Sequence, residues 1–132
     1  MILTDERWRE LVKVQAEVNA DVRYTTDIEL YGKFEFWEIA DGEGDCEDSA
    51  LVKREKLLGL EWDKDDLALA TCWTETNAYH AVLVVHTDKG DYVLDIRYPR
   101  VMAWKVLPYK WDKIQDGKKW RSIGDRVRVM PD

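Results

Sequence analysis

Gly44-Asp45-Cys46-Glu47-Asp48-Ser49-Ala50 opens a stretch of helical character, and two apolar, β-branched runs follow it, around Tyr79-His80-Ala81 and Leu94-Asp95-Ile96. A cysteine at the start of a helix, with a histidine and then a carboxylate on strands, is the layout of a thiol nucleophile, its base and the group that orients the base. Unpaired N–H groups and the helix macrodipole stabilise negative charge on a sulfur placed there, and an imidazolium beside it adds to the effect. The spacing of 34 residues between Cys46 and His80 leaves room for a helix, a loop and one strand before the chain returns to the helix tip.

Outward from this stretch, Cys46 to Leu58 is predicted as a helix with Ala50, Leu51, Leu57 and Leu58 on one face and Gly59 as its stop. Upstream, Thr4 to about Asn19 reads as an amphipathic helix with Trp8, Leu11, Val12 and Ala16 inward and Asp5-Glu6 at its acid-favouring end. Between them, Ala20 to Asp41 is rich in aromatics but aperiodic, which predicts irregular chain packed on the body. Downstream, Leu67–Trp73, Ala78–His86 and Asp91–Ile96 read as strands, with Asp88-Lys89-Gly90-Asp91 as a hairpin turn. Val101–Leu107 is expected as a further strand that Pro108 breaks, and Lys119–Val129 as one or two more. Helices followed by antiparallel strands make an α+β fold, and 132 residues with 45% hydrophobic content suit a single domain over residues 1–132.

The turn assignment carries a geometric difficulty. If Lys89-Gly90 is the two-residue loop, Asp88 pairs with Asp91, Asp95 opposes Val84 and His80 opposes Pro99. His80 and Asp95 then share a face but sit four residues out of step, roughly 13 Å along an ideal strand. A twist, a bulge or a different turn has to close that gap.

Asp45, Glu47 and Asp48 crowd the cysteine with charge that opposes a thiolate. One resolution is capping, with Asp45 as N-cap and Asp48 at the third helical position. Another is a hard cation such as Ca²⁺, for which Asp45, Glu47 and Asp48 would be ligands, with help from Asp41, Glu43 or backbone carbonyls. The spacing is not that of an EF-hand, and by itself it favours capping. The Cys46 backbone N–H is a natural oxyanion donor, with the Trp37 indole as a second candidate. His86 is expected as an exposed residue at a strand end, and Cys72 as a buried, reduced thiol rather than half of a disulfide with Cys46.

A net charge of −7 and a pI near 4.9 argue against a nucleic-acid backbone or an anionic membrane as partner. The N-terminus lacks a basic n-region and a long apolar h-region, so the expected location is cytoplasmic.

The chain resembles the bacterial transglutaminase-like cysteine proteinase family, within the papain-like and transglutaminase-like folds. The likeness rests on Gly44-Asp45-Cys46-Glu47-Asp48, on His80-Ala81-Val82-Leu83-Val84-Val85 and on Gly90-Asp91-Tyr92-Val93-Leu94-Asp95. It extends to Val18-Asn19, Tyr24-Thr25-Thr26-Asp27, Tyr31-Gly32 and Phe36-Trp37 upstream, and to Pro108-Tyr109-Lys110-Trp111 and Trp120 downstream. It implies a cysteine-bearing helix packed on an antiparallel β-sheet, with Cys46 as nucleophile, His80 as general base and acid, and Asp95 as orienter. It also implies a protein or peptide substrate, no organic cofactor, and Asp45, Glu47 and Asp48 as calcium ligands, a role compatible with capping. Compact relatives occur in phage and prophage genomes. Two alternatives stay open: a non-catalytic or virion-associated binding module, and a transglutaminase-type acyl transferase.

Overall fold

A computed structural model describes residues 1–20, 43–117 and 119–123, with 43–45 described by backbone only. The aromatic stretch from Asp21 to Asp41, the Trp37 indole and any strand beyond Ile123 lie outside these residues. Helix α1 spans residues 5–20, with the Thr4 hydroxyl accepting from the Arg7 N–H (3.1 Å) as its cap. Helix α2 is Glu43–Gly59. Among the described residues six strands follow: β1 Leu67–Trp73, β2 Tyr79–Thr87, β3 Gly90–Leu94, β4 Met102–Ala103, β5 Lys110–Asp116 and β6 Lys119–Ser122. All pairings are antiparallel and the order is β4-β3-β2-β1-β5-β6, so β2 and β1 lie at the centre. This is the α+β arrangement of a cysteine-bearing helix on an antiparallel sheet.

The sheet has a core on each face. Leu67, Leu69, Leu83, Val85 and Leu94 meet Leu11, Val14 and Val18 of α1 and Ala50 and Leu57 of α2. Ala68, Ala70, Val82, Val84 and Val93 point the other way, onto Trp104, Leu107, Trp111 and Ile114. The strict alternation along β1 to β3 is the period of two that a pleated strand imposes.

Several expectations need correction. On α1 the inward face is Leu11, Val14, Gln15, Val18 and Asn19, while Val12 and Ala16 are exposed. On α2 Leu51 is exposed and Lys53 takes a core position. The helix starts three residues before Cys46, so Asp45 sits inside the first turn and is not an N-cap, and Asp48 is past the third helical position. The helix does end at Gly59, but not through a left-handed glycine. The chain ends α2 in a Schellman motif, with Trp62 N–H bonded to Leu57 C=O (3.1 Å) and Glu61 N–H to Leu58 C=O (3.0 Å), and Glu61 takes the left-handed conformation at φ 70°.

The expected strand over Val101–Leu107 is two residues of β4 followed by a 3₁₀ turn, Trp104–Val106. Strand β5 is not expected from the sequence and does not alternate: its inward residues, Trp111 and Ile114, are three apart. A bulge opposite Thr71 and Cys72 makes Asp112 an extra residue, which brings both side chains to the same face.

Candidate active site

The β2–β3 turn decides whether the site can close. The closing pair is Thr87 with Gly90, so the loop is Asp88-Lys89, one position earlier than the sequence suggested. The Thr87 hydroxyl donates to Gly90 C=O (2.6 Å) and accepts from Lys89 N–H (3.1 Å), Gly90 takes φ 115°, and Asp88 Oδ1 is held by the Leu3 N–H (2.8 Å). Val84 therefore faces Val93 rather than Asp95, and the offset between His80 and Asp95 falls from four residues to two, about 7 Å along the strand. Asp95 lies just past the end of β3, where the chain turns, and its side chain covers the remaining distance.

His80 is placed from the other side by the β1–β2 hairpin, in which it pairs with Cys72. That turn is closed by Thr74 N–H to Ala78 C=O (2.8 Å), and Asn77 supplies the left-handed residue at φ 65°. Asparagine tolerates that conformation better than branched side chains do.

The result is a buried relay. His80 Nε2 is 2.7 Å from Asp95 Oδ1. His80 also hydrogen-bonds Cys46, and with Nε2 on the carboxylate, Nδ1 is the ring nitrogen left to face the sulfur. Pairing between β2 and β3 stops at Leu83 and Leu94, and the Ala81 N–H beyond it donates to Cys46 Sγ (3.3 Å). Cys46, His80 and Asp95 are all buried, Asp95 completely. The structure thus brings together the three residues singled out from the sequence.

Electrostatics follow from this geometry. Burial by itself would depress the His80 pKa, but the hydrogen bonds to Asp95 and Cys46 and the charges behind them outweigh it, and the value rises to about 9. Burial pushes the Asp95 carboxyl up, and the His80 bond and charge, the Arg97 N–H and the Tyr109 hydroxyl more than reverse this, holding it below the usual carboxylate range. Cys72 is fully buried and free, and burial followed by the charge of Asp95 pushes its thiol upward, so it is an inert neighbour. His86 is not the freely exposed residue expected: its Nδ1 is 2.9 Å from Asp91 Oδ1, at the turn end of β2 and away from the relay.

Sequence reading missed the supports. From α1, Gln15 Nε2 donates to the carbonyls of Asp95 (2.9 Å) and Tyr98 (2.7 Å), and Asn19 Nδ2 donates to that of Tyr98 (2.9 Å). Tyr109 and Arg97 close the far side of Asp95. The signal was present in α1, where two amides at i and i+4 share a face with Leu11 and Val18, but polar residues do not register in a search for apolar periodicity.

Glu47 and Asp48 are exposed on the helical turn that carries Cys46, as hard oxygen donors beside the backbone of Asp45. That donor chemistry suits calcium. Among the described residues no group of three or more His, Cys, Asp or Glu is already gathered around a metal position.

Comparison with known proteins agrees with the architecture. The sequence profile described as bacterial transglutaminase-like cysteine proteinase, BTLCP, matches residues 1–128. No curated protein matches the chain. Among solved structures, calcium-bound LapG of Legionella pneumophila superposes with a TM-score of 0.54 at 24% identity, over 64% of this chain and 49% of that one. A second LapG structure gives 0.54 and 24% over 69% and 53%, and an EGTA-treated form gives the same score and identity over 64% and 47%. The chain thus spans about half the length of the LapG chains that share its fold. By the profile match over nearly its whole length, the chain belongs to the bacterial transglutaminase-like cysteine proteinase family.

Proposed function

We propose that this chain is a cysteine peptidase in which Cys46, His80 and Asp95 act as nucleophile, acid–base and orienter. The observation that carries the reading is the unbroken buried path from Cys46 through His80 to Asp95. As His80 takes the proton of the Cys46 thiol, the sulfur attacks a peptide or amide carbonyl carbon, and the carbonyl electron pair moves to oxygen. His80 gives its proton to the leaving amine as the C–N bond breaks, leaving a thioester. Neutral His80 then takes a proton from water as its oxygen attacks, and the thioester breaks to release the acid and restore the thiol. Asp95 holds the imidazole in one tautomer and stabilises its charged form throughout.

Family membership and a fold shared with LapG, known in calcium-bound and EGTA-treated forms, support a calcium site here. Asp45, Glu47 and Asp48 would hold the ion. When bound, it would cancel the negative field around the sulfur and fix the turn that carries it.

The test is alkylation with iodoacetamide at pH 6. Cys46 of the wild type is expected to label stoichiometrically and far faster than Cys72, and His80→Ala to slow this at least tenfold while the far-UV spectrum is retained. Equal, sluggish labelling of both cysteines would refute the reading.

A further inference from the structure

We propose that Tyr109 is a positioning residue of this site: its hydroxyl, donated to the outer oxygen of Asp95 and backed by Arg97, fixes the carboxylate and through it the imidazole of His80. The inference rests on the peptidase reading above. Asp95 has two oxygens and both are committed. Oδ1 receives His80 Nε2 (2.7 Å) and the backbone N–H of Arg97 (2.9 Å), and Oδ2 receives the Tyr109 hydroxyl. A carboxylate held by donors on both oxygens cannot rotate about its Cβ–Cγ bond without breaking one of them.

The direction of each bond in this chain is determined. Arg97 Nη1 lies 3.1 Å from the Tyr109 oxygen, and a guanidinium only donates. The phenolic oxygen therefore accepts from Arg97, and its single proton goes to Asp95. Arg97 is itself fixed by a fork onto Glu75, at 2.9 Å and 2.7 Å. Those hydrogen bonds, with the charge behind them, hold the Glu75 carboxyl down at about 2. Burial, and then the neighbouring carboxylate, keep the Tyr109 hydroxyl protonated and so a donor. The chain of bonds runs from an exposed ion pair on the β1–β2 turn to a fully buried carboxylate. The ring of Tyr109 also stands edge-on to His80, with centroids 5.7 Å apart at 75°, so one residue braces both partners of the relay.

The charged and titratable groups around the His80–Asp95 pair are Cys46 and Lys53 from α2, Cys72 from β1, Glu75 from the β1–β2 turn, Arg97 from the turn after β3 and Tyr109 just ahead of β5. Within that set the Tyr109 hydroxyl withdraws charge from Asp95 that the imidazolium would otherwise feel. Its loss makes Asp95 a stronger partner and His80 more basic.

Tyr109→Phe keeps the ring, its burial and its edge contact, and removes one bond. The experiment follows the His80 ring by NMR from pH 5 to 10, together with iodoacetamide labelling of Cys46, in wild type, Tyr109→Phe and Arg97→Gln. Tyr109→Phe is expected to raise the His80 midpoint by at least half a pH unit and to slow Cys46 labelling several-fold. Arg97→Gln leaves the hydroxyl in place but unguided, so a smaller shift in the same direction is expected, and this variant is decisive if Tyr109→Phe does not fold. A merely structural tyrosine would leave the midpoint where it is. An unmoved midpoint in folded Tyr109→Phe, or in Arg97→Gln where that variant decides, overturns the proposal. Wild-type Cys46 that labels no faster than Cys72 would instead overturn the peptidase reading.

Discussion

Lys53 is the residue least expected from the sequence. It lies seven positions after Cys46 on the inner face of α2, fully buried, and its Nζ has no hydrogen-bond partner among the described residues. Burial lowers its pKa from 10.5 to about 7, although the charge of Asp95 pulls the other way. The folded protein therefore binds fewer protons at this site than the unfolded chain between pH 7 and 10.5, and the burial cost is felt in full below pH 7. Lys53→Met removes that cost. It is expected to raise the melting temperature most at pH 6 and to make little difference near pH 10.5. His80 works in the opposite sense: its raised pKa adds stability that is complete below pH 6.5 and is lost as pH climbs through about 9. Because the windows overlap, the comparison is variant against wild type at each pH, by calorimetry. A gain that grows with pH would contradict this account of Lys53.

At the scale of elements, α2 closes with a left-handed glutamate where glycine is the usual choice. Glu61 at φ 70° bears the steric cost of a Cβ in that region, while Gly59, two residues earlier, has no positive φ to relieve. Trp62 packs in the same core as Leu57, as the residue after a Schellman turn commonly does against the last helical turn. Glu61→Gly keeps both bonds of the motif and is expected to add up to about 1 kcal/mol, or about 3 °C in melting temperature, partly offset by the entropy of the unfolded glycine. A lower melting point would show that the Glu61 side chain itself contributes more than its backbone strain costs.

For the whole molecule, the calcium proposal has a thermodynamic signature that is independent of turnover. A ligand that binds only the folded state stabilises it in proportion to the logarithm of its concentration, by about 2.7 kcal/mol at a hundredfold excess over Kd. Millimolar calcium is therefore expected to raise the melting temperature, EDTA to reverse the rise, and Asp48→Ala to abolish it. Magnesium demands a tighter octahedral geometry and should substitute poorly. An unchanged melting curve at millimolar calcium would remove the site.

The sequence by itself determined the kinds of element and the chemistry they carry. Apolar runs of β-branched content marked β1 to β3, and residue type singled out a cysteine near a helix start, a histidine and an aspartate. These are local properties, legible because a side chain's chemistry and the pleat of a strand do not depend on distant partners. Only the tertiary structure decided the one-position shift of the β2–β3 turn that carries Asp95 to His80, and the bulge at Asp112 that hides β5 from a test for alternation. It alone placed Gln15, Asn19 and Tyr109 around Asp95, across 80, 76 and 14 residues of chain. Register and bulges are settled by the sum of packing over both faces of the sheet, and a buried polar residue is explained only by the partner it meets.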